Sequence, residues 1–191
     1  MKIRILSLPV LLLAALLVVA SCGKKQKNAA PADDPAPVEE APDMSQYMPS
    51  LQVGEFAPLF EAPDILDQTV GLSDYLGDYL VIDFWATWCK DCRAELPGMK
   101  DLYNTYAPKG VQFLGVSFDT DKQTLVDYCF ANEIPWMQVC NGIKWKENPI
   151  SLLFDLHWIP TMYLLDPDGK ILGICFTAKE LGKLLAVQQY S

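Results

Sequence analysis

Residues 79–85, Tyr-Leu-Val-Ile-Asp-Phe-Trp, form a near-continuous apolar run that leads within three residues into Cys89-Lys90-Asp91-Cys92. A strand that is apolar on both faces needs cover above and below, which excludes a one-sided sheet. A helical pattern follows from Cys89 to about Tyr106, so Cys89 falls at a strand-to-helix junction. Unpaired backbone N–H groups and the positive end of the helix dipole stabilise a thiolate there, making Cys89 a nucleophile. Two intervening residues put Cys92 one turn further on the same face, where it can attack a mixed disulfide at Cys89. A structural disulfide and half of a zinc site are the competing readings. Zinc would need a second pair or two histidines, and the chain has one histidine, His157.

Beyond this junction the pattern alternates. An extended stretch over 59–70 precedes the run at 79–85. After the helix come a strand over 111–117, a helix over 121–132, a short helical segment near 148–156, a strand over 161–165 and a strand over 171–176. Asp166-Pro167-Asp168-Gly169 joins the last two strands as a hairpin turn, and Thr177 caps a final helix. Strand-helix-strand followed by a hairpin and a closing helix predicts an α/β domain with a central mixed sheet flanked by helices, with an N-terminal hairpin extension.

The N-terminal region reads differently. Lys2 and Arg4 precede an apolar run to Ala20, short for a membrane span, and the pattern is that of a secretory signal. Val19-Ala20-Ser21-Cys22 resembles the bacterial lipobox, which implies cleavage before Cys22 and lipid on that cysteine. An uncleaved anchor helix is the alternative, and either places the remainder outside the cytoplasm. Residues 23–50 hold five prolines and little that can form a core, the composition of a disordered tether. As a flexible chain it spans roughly 30 Å. Residues 51–191 remain as one domain. The chain carries a net charge of −9, a sign that repels phosphate backbones and argues against nucleic acid as a partner.

An ordered set of positions over 51–191 resembles the thioredoxin fold: Asp83-Phe84-Trp85-Ala86-Thr87-Trp88-Cys89, with an acid six residues before the first cysteine; Pro97, five after Cys92; and Ile159-Pro160-Thr161, similar to the cis-proline segment that faces the disulfide. Within that superfamily the chain resembles membrane-tethered extracytoplasmic reductases of the TlpA/ResA type. The likeness rests on the redoxin or AhpC/TSA-like opening Val53-Gly54-Glu55-Phe56-Ala57-Pro58, on Leu114-Gly115-Val116-Ser117, and on the stretch 159–171. The resemblance implies a protein-disulfide reductase that needs no cofactor and no metal. Its partners would be cysteine-containing protein substrates, apocytochrome c among them, and a membrane thiol-disulfide electron donor. The location would be the cell envelope, lipid-anchored and facing the periplasm. Glu95 falls where some of these reductases carry an active-site glutamate, the alternative being a helix-surface acid. Lys90-Asp91 departs from the family's Gly-Pro or Glu-Pro, so no redox potential carries over. The segment 141–148 has no counterpart in plain thioredoxin.

Asp83 inside an apolar strand loses hydration, which raises its pKa and suits it to exchange a proton with Cys92. Trp88 is expected on the surface beside the disulfide, with Ile159 and Pro160, as substrate-docking residues, packing alone being the alternative for Trp88. Trp85 is expected in the core, and His157 has no assigned role. Cys129, Cys140 and Cys175 read as buried free thiols, with a second disulfide as the alternative. Two rival functions stand beside exchange. A thiol peroxidase of peroxiredoxin type would carry a Thr three residues before its cysteine, whereas Thr87 is two before Cys89. The other is a non-catalytic binding lipoprotein.

Overall fold

A computed structural model describes residues 43–190. The expected leader, Cys22 and the part of the expected tether up to residue 42 lie outside the described residues. Among the described residues there are seven strands, β1 (Glu61–Pro63), β2 (Thr69–Gly71), β3 (Leu80–Trp85), β4 (Gln112–Ser117), β5 (Met137–Val139), β6 (Thr161–Leu165) and β7 (Ile171–Cys175). Four α-helices join them, α1 (Lys90–Tyr106), α2 (Lys122–Ala131), α3 (Pro149–Leu153) and α4 (Ala178–Ala186). No described helix is long and apolar enough to cross a membrane.

Five strands form one sheet in the order β5-β4-β3-β6-β7. β3 runs parallel to β4, and β4 to β5, whereas β6 and β7 are antiparallel to their neighbours. The mixed sheet follows from the connections. Parallel neighbours need a crossover, which α1 and α2 provide, and the Asp166 turn makes β6 and β7 a hairpin. In that turn Asp166 Oδ1 accepts hydrogen bonds from the backbone N–H groups of Asp168 and Lys170, at 3.0 and 2.8 Å, and Gly169 takes φ +84°.

All six residues of β3 are buried, as expected of the middle strand with both faces covered. On one face Leu125 of α2, Ile150 of α3 and Phe154 just after it pack against Ile82, Phe84 and Tyr163. Phe84, Phe154 and Tyr163 meet there at ring-centroid distances of 4.9 to 5.7 Å. On the other face α1 and α4 pack Met99, Ala178, Leu181 and Leu185 against Val81, Met162 and Leu164. Each such aliphatic or aromatic side chain contributes about 1.5–3 kcal/mol when fully buried.

Both sheet edges are covered. Residues 54–57 run beside the start of β7, with Gly54 N–H donating to Ile171 O at 2.8 Å and Ile171 N–H to Glu55 O at 2.8 Å. At the other edge Cys140 N–H donates to Pro63 O at 2.9 Å and Asp64 bridges to Val139. These contacts occupy edge groups that would otherwise invite another strand.

Three features differ from the sequence expectations. The extended stretch expected over 59–70 is broken, because the Asp64 carboxylate accepts from Leu66 and Gln68 N–H groups and turns the chain between β1 and β2. The two strands pair antiparallel as the N-terminal hairpin. Strand β5 was not anticipated, being three residues long without alternation. Within the segment read as tether, residues 43–50 carry a single helical turn, Ser45–Tyr47, and Tyr47 packs on Trp158 with ring centroids 4.7 Å apart.

Candidate active site

Cys89 is the N-cap of α1 and does not lie within it, with φ −75° and ψ 114°, and its Sγ accepts from the backbone N–H of Cys92 at 3.1 Å. A sulfur in this place replaces the oxygen of an ordinary capping side chain, and the Cys92 N–H that would bond an oxygen bonds the sulfur. Cys89 and Cys92 form a disulfide, with Cα atoms 5.3 Å apart. Exposure hardly separates them, at 7% and 5%, so position at the helix start is what distinguishes Cys89. The Ile159 carbonyl oxygen lies 3.6 Å from Cys89 Sγ, and the bond from Ile159 to Pro160 is cis, as the resemblance implied. The zinc alternative has no ligand set among the described residues, and both cysteines of the pair are bonded to each other.

Sheet register places the acids. Asp83 stands opposite Gly115 on β4 and Met162 on β6, and Met162 stands opposite Cys175 on β7. Opposed residues share a face, so Asp83, Met162 and Cys175 line the side covered by α1 and α4. Asp83 is buried, and its Oδ1 has no hydrogen-bond partner. Burial, with a smaller contribution from the Glu95 charge, pushes its carboxyl up to about 7. Glu95 reaches the same region from α1, and its Oε2 accepts from Ala178 N–H, the first residue of α4, at 2.7 Å. It is half-buried, and tied to a second helix where a plain surface acid would be free.

A groove of about 370 Å³ opens beside the disulfide, lined among others by Met44, Asp91, Glu95, Trp158, Pro160 and Phe176. Ile159 and Pro160 are themselves buried, and Pro160 is the one of the two that lines this groove. Trp88 is 56% exposed next to Cys89, whereas Trp85 is buried and donates from Nε1 to Gln138 Oε1 at 2.9 Å. His157 pairs with Asp155, Nε2 to Oδ2 3.3 Å, and lines a different cleft with Trp145.

Two residues escaped the sequence reading. The Gln138 side chain lies over Gly115, in the space a Cβ there would occupy. Asp119, two residues past β4, is buried and accepts from Thr87 N–H at 3.0 Å, Thr87 Oγ1 at 2.7 Å and Ser117 Oγ at 2.6 Å. An acid just beyond the end of an apolar strand was the available signal. Cys129, Cys140 and Cys175 are free and buried. Burial pushes the Cys129 thiol up to about 12 and raises those of Cys140 and Cys175, and Cys140 donates to Asp119 O at 3.1 Å.

The family model described as AhpC/TSA family matches residues 53–174. The thiol-disulfide oxidoreductase ResA of Oceanobacillus iheyensis is 34% identical over 141 residues, covering 70% of this chain and 69% of that protein. The thioredoxin domain of a thiol-disulfide oxidoreductase from Bacteroides vulgatus superposes with a TM-score of 0.65 at 28% identity, covering 72% of this chain and 97% of that one. A thiol-disulfide oxidoreductase from Bacteroides fragilis gives 0.63 at 27% identity, covering 70% and 100%. With a bonded Cys-x-x-Cys pair capping the helix after the central strand, the chain belongs to the AhpC/TSA family, as a thiol-disulfide oxidoreductase of thioredoxin fold.

Proposed function

We propose that this protein works in the reducing direction outside the cytoplasm, held to a membrane by lipid on Cys22 and a tether, and that it passes electrons from a membrane thiol-disulfide donor to oxidised cysteines of protein substrates. The domain division is part of this reading: a leader to Cys22, a tether after it, and the folded catalytic part. The observation that carries the chemistry is Cys89 capping α1 while bonded to Cys92.

In the reduced protein the Cys89 thiolate attacks one sulfur of a substrate disulfide. The substrate S–S bond breaks, a Cys89–substrate disulfide forms, and the displaced substrate sulfur leaves as a thiolate that takes up a proton. Cys92 then gives its proton to Asp83 and attacks Cys89 Sγ. The second substrate sulfur leaves, and both electrons have moved to the substrate. The Cys89–Cys92 disulfide that results is the form described above, and the donor reduces it again. A carboxyl titrating near 7 is about half ionised at neutral pH, so Asp83 can both accept the Cys92 proton and return one in the reverse step. Ile159, Pro160 and Trp88 form the docking surface around the sulfur, and Glu95 holds α4 against α1 while adding negative charge near Asp83.

The redox equilibrium of the Cys89–Cys92 pair with glutathione tests the direction. A reductase should have a potential nearer thioredoxin's, about −270 mV, than that of a periplasmic oxidant, about −120 mV. A value at the oxidising end would reverse the assignment. Mass spectrometry of membrane-extracted protein tests the anchor, which requires a mature chain beginning at a lipid-bearing Cys22. Peroxide consumption faster than disulfide reduction would favour the peroxidase reading instead.

A further inference from the structure

We propose that Asp119 is a positioning residue for the reacting sulfur, acting through Thr87. The inference rests on the exchange chemistry above. The chain from Ala86 to Cys89 carries the reactive cysteine from the end of β3 into α1, and nothing in its local sequence compels one conformation. Its backbone has one internal hydrogen bond, from Cys89 N–H to Ala86 O at 3.1 Å. The second restraint comes from β4. Parallel pairing between β3 and β4 continues one step past their ends, with Phe118 N–H donating to Trp85 O at 2.9 Å, so the two exit loops leave the sheet side by side. Asp119 sits on the second loop and grips the first with both carboxylate oxygens, Oδ1 on the Thr87 hydroxyl and Oδ2 on the Thr87 N–H.

Oδ2 accepts from Ser117 Oγ as well as from Thr87 N–H, so the carboxylate meets three donors at once; an amide could serve the same groups only with its oxygen in the Oδ2 place and its NH2 donating to the Thr87 hydroxyl, which reverses that bond. Asp119 has no cationic partner among the described residues, so these three charge-assisted hydrogen bonds are what compensate its burial. A buried carboxylate without a cationic partner, used to hold a loop, is a costly solution for fold stability alone. It fits a loop whose geometry sets how well backbone N–H groups meet the Cys89 sulfur. Thr87 is held at two atoms, and the residues that follow it are the exposed Trp88 and Cys89 in its capping place.

The test uses the reduced full-length protein and reads the Cys89 thiolate by its alkylation rate at pH 7, followed by mass spectrometry. Thr87→Val removes the hydroxyl donor while keeping the N–H and the side-chain shape, and it leaves Asp119 charged. It should slow Cys89 alkylation by about threefold to tenfold, and should shift the glutathione equilibrium toward the disulfide by a similar factor, because the reduced form loses thiolate stabilisation. Thr87→Ser, which retains the hydroxyl, should stay within about twofold of wild type on both readings. Combining Thr87→Val with Asp119→Asn should slow alkylation less than the product of the single effects, as expected for two ends of one interaction. Thr87→Val that lowers the melting temperature while leaving alkylation and equilibrium at wild-type values would reduce the network to a fold restraint. Equal slowing by Val and Ser would likewise remove the hydroxyl clamp. Should Asp119→Asn not fold, the Val and Ser pair still decides. Alkylation is read without any substrate, so it stands apart from a failure of the wild-type protein to reduce disulfides, which would count against the exchange chemistry alone.

Discussion

The Ile159 carbonyl oxygen lies 3.6 Å from Cys89 Sγ, and on the other side that sulfur accepts the Cys92 N–H at 3.1 Å. Cys89 therefore sits at the junction of the Ile159–Pro160 loop and the head of α1, and Cys92 lies one turn further along the helix. This arrangement predicts unequal roles. Cys92→Ser should accumulate mixed disulfides with oxidised substrates, since the attacking sulfur remains and the resolving one is gone. Cys89→Ser should accumulate few. Equal trapping on non-reducing gels would overturn the order of attack.

Asp83 allows a prediction with its sign fixed by linkage. Its carboxyl is raised from an ordinary 3.8 to about 7 in the fold, with desolvation as the larger cause. Below the ordinary value both folded and unfolded chains are protonated and no penalty exists. The penalty grows as pH rises from there through about 7, and is constant above. Asp83→Asn should therefore stabilise the fold at pH 8 by at most about 4 kcal/mol, less whatever the buried amide loses by lacking partners. The gain should vanish near pH 4, and resolution of the Cys89 mixed disulfide should slow. Urea denaturation at both pH values checks the first half and stopped-flow resolution rates the second. A variant less stable at pH 8 that resolves at wild-type speed would make Asp83 an ordinary strand residue.

Glu95 is the second, smaller cause of that shift, and its Oε2 bond to Ala178 N–H can be made equally well by an amide oxygen. Glu95→Gln should leave melting nearly unchanged and lower the midpoint of the pH profile for mixed-disulfide resolution. Desolvation should still hold the midpoint above the ordinary carboxylate range. An unmoved midpoint would mean that the two acids do not sense each other.

The parts of this molecule that could be read from sequence are those whose physics is local. The apolar run of β3 leading into a cysteine-capped helix, the Asp166 turn and the Thr177 cap each fall within a few residues, and each is formed as anticipated. What escaped depends on partners brought together by the fold. Asp119 acquires its meaning from Thr87, 32 residues earlier, and β5 exists because β4 lies beside it. Residues 43–50 look like unfolded tether until Trp158 offers Tyr47 a face. Asp83 is the intermediate case. Its burial followed from its neighbours, but the Glu95 charge that adds to its shift depends on how α1 crosses the sheet.

The three remaining thiols should be inert in the folded state. Cys129, Cys140 and Cys175 are buried, and burial raises each thiol away from the range where a thiolate forms at neutral pH. Residue-by-residue mass spectrometry after iodoacetamide should show all three unmodified in native protein, and modified only once denaturant is added. Rapid native labelling of any one of them would point to an opening of the domain that the packing gives no reason to expect.

The crossing of α1 and α4 sets the last prediction. A Cβ at Gly98 would come within 2.7 Å of the Ala178 Cβ, closer than side-chain carbons pack. In an exposed helix Gly→Ala gains about 1 kcal/mol from backbone entropy. Overpacking a tight contact costs about 1–3 kcal/mol. Here the second effect should win, because Ala178 is not free to retreat: its N–H is bonded to Glu95 and its helix buries Leu181 and Leu185 against the sheet. Gly98→Ala should lower the melting temperature by a few degrees, about 2–4 °C for each kcal/mol in a domain of this size. The displaced first turn of α4 should also loosen the Glu95 bond to Ala178 N–H. A Gly98→Ala protein that melts at or above the wild-type temperature would show that the propensity gain outweighs the overlap and that the two helices are less closely packed than described.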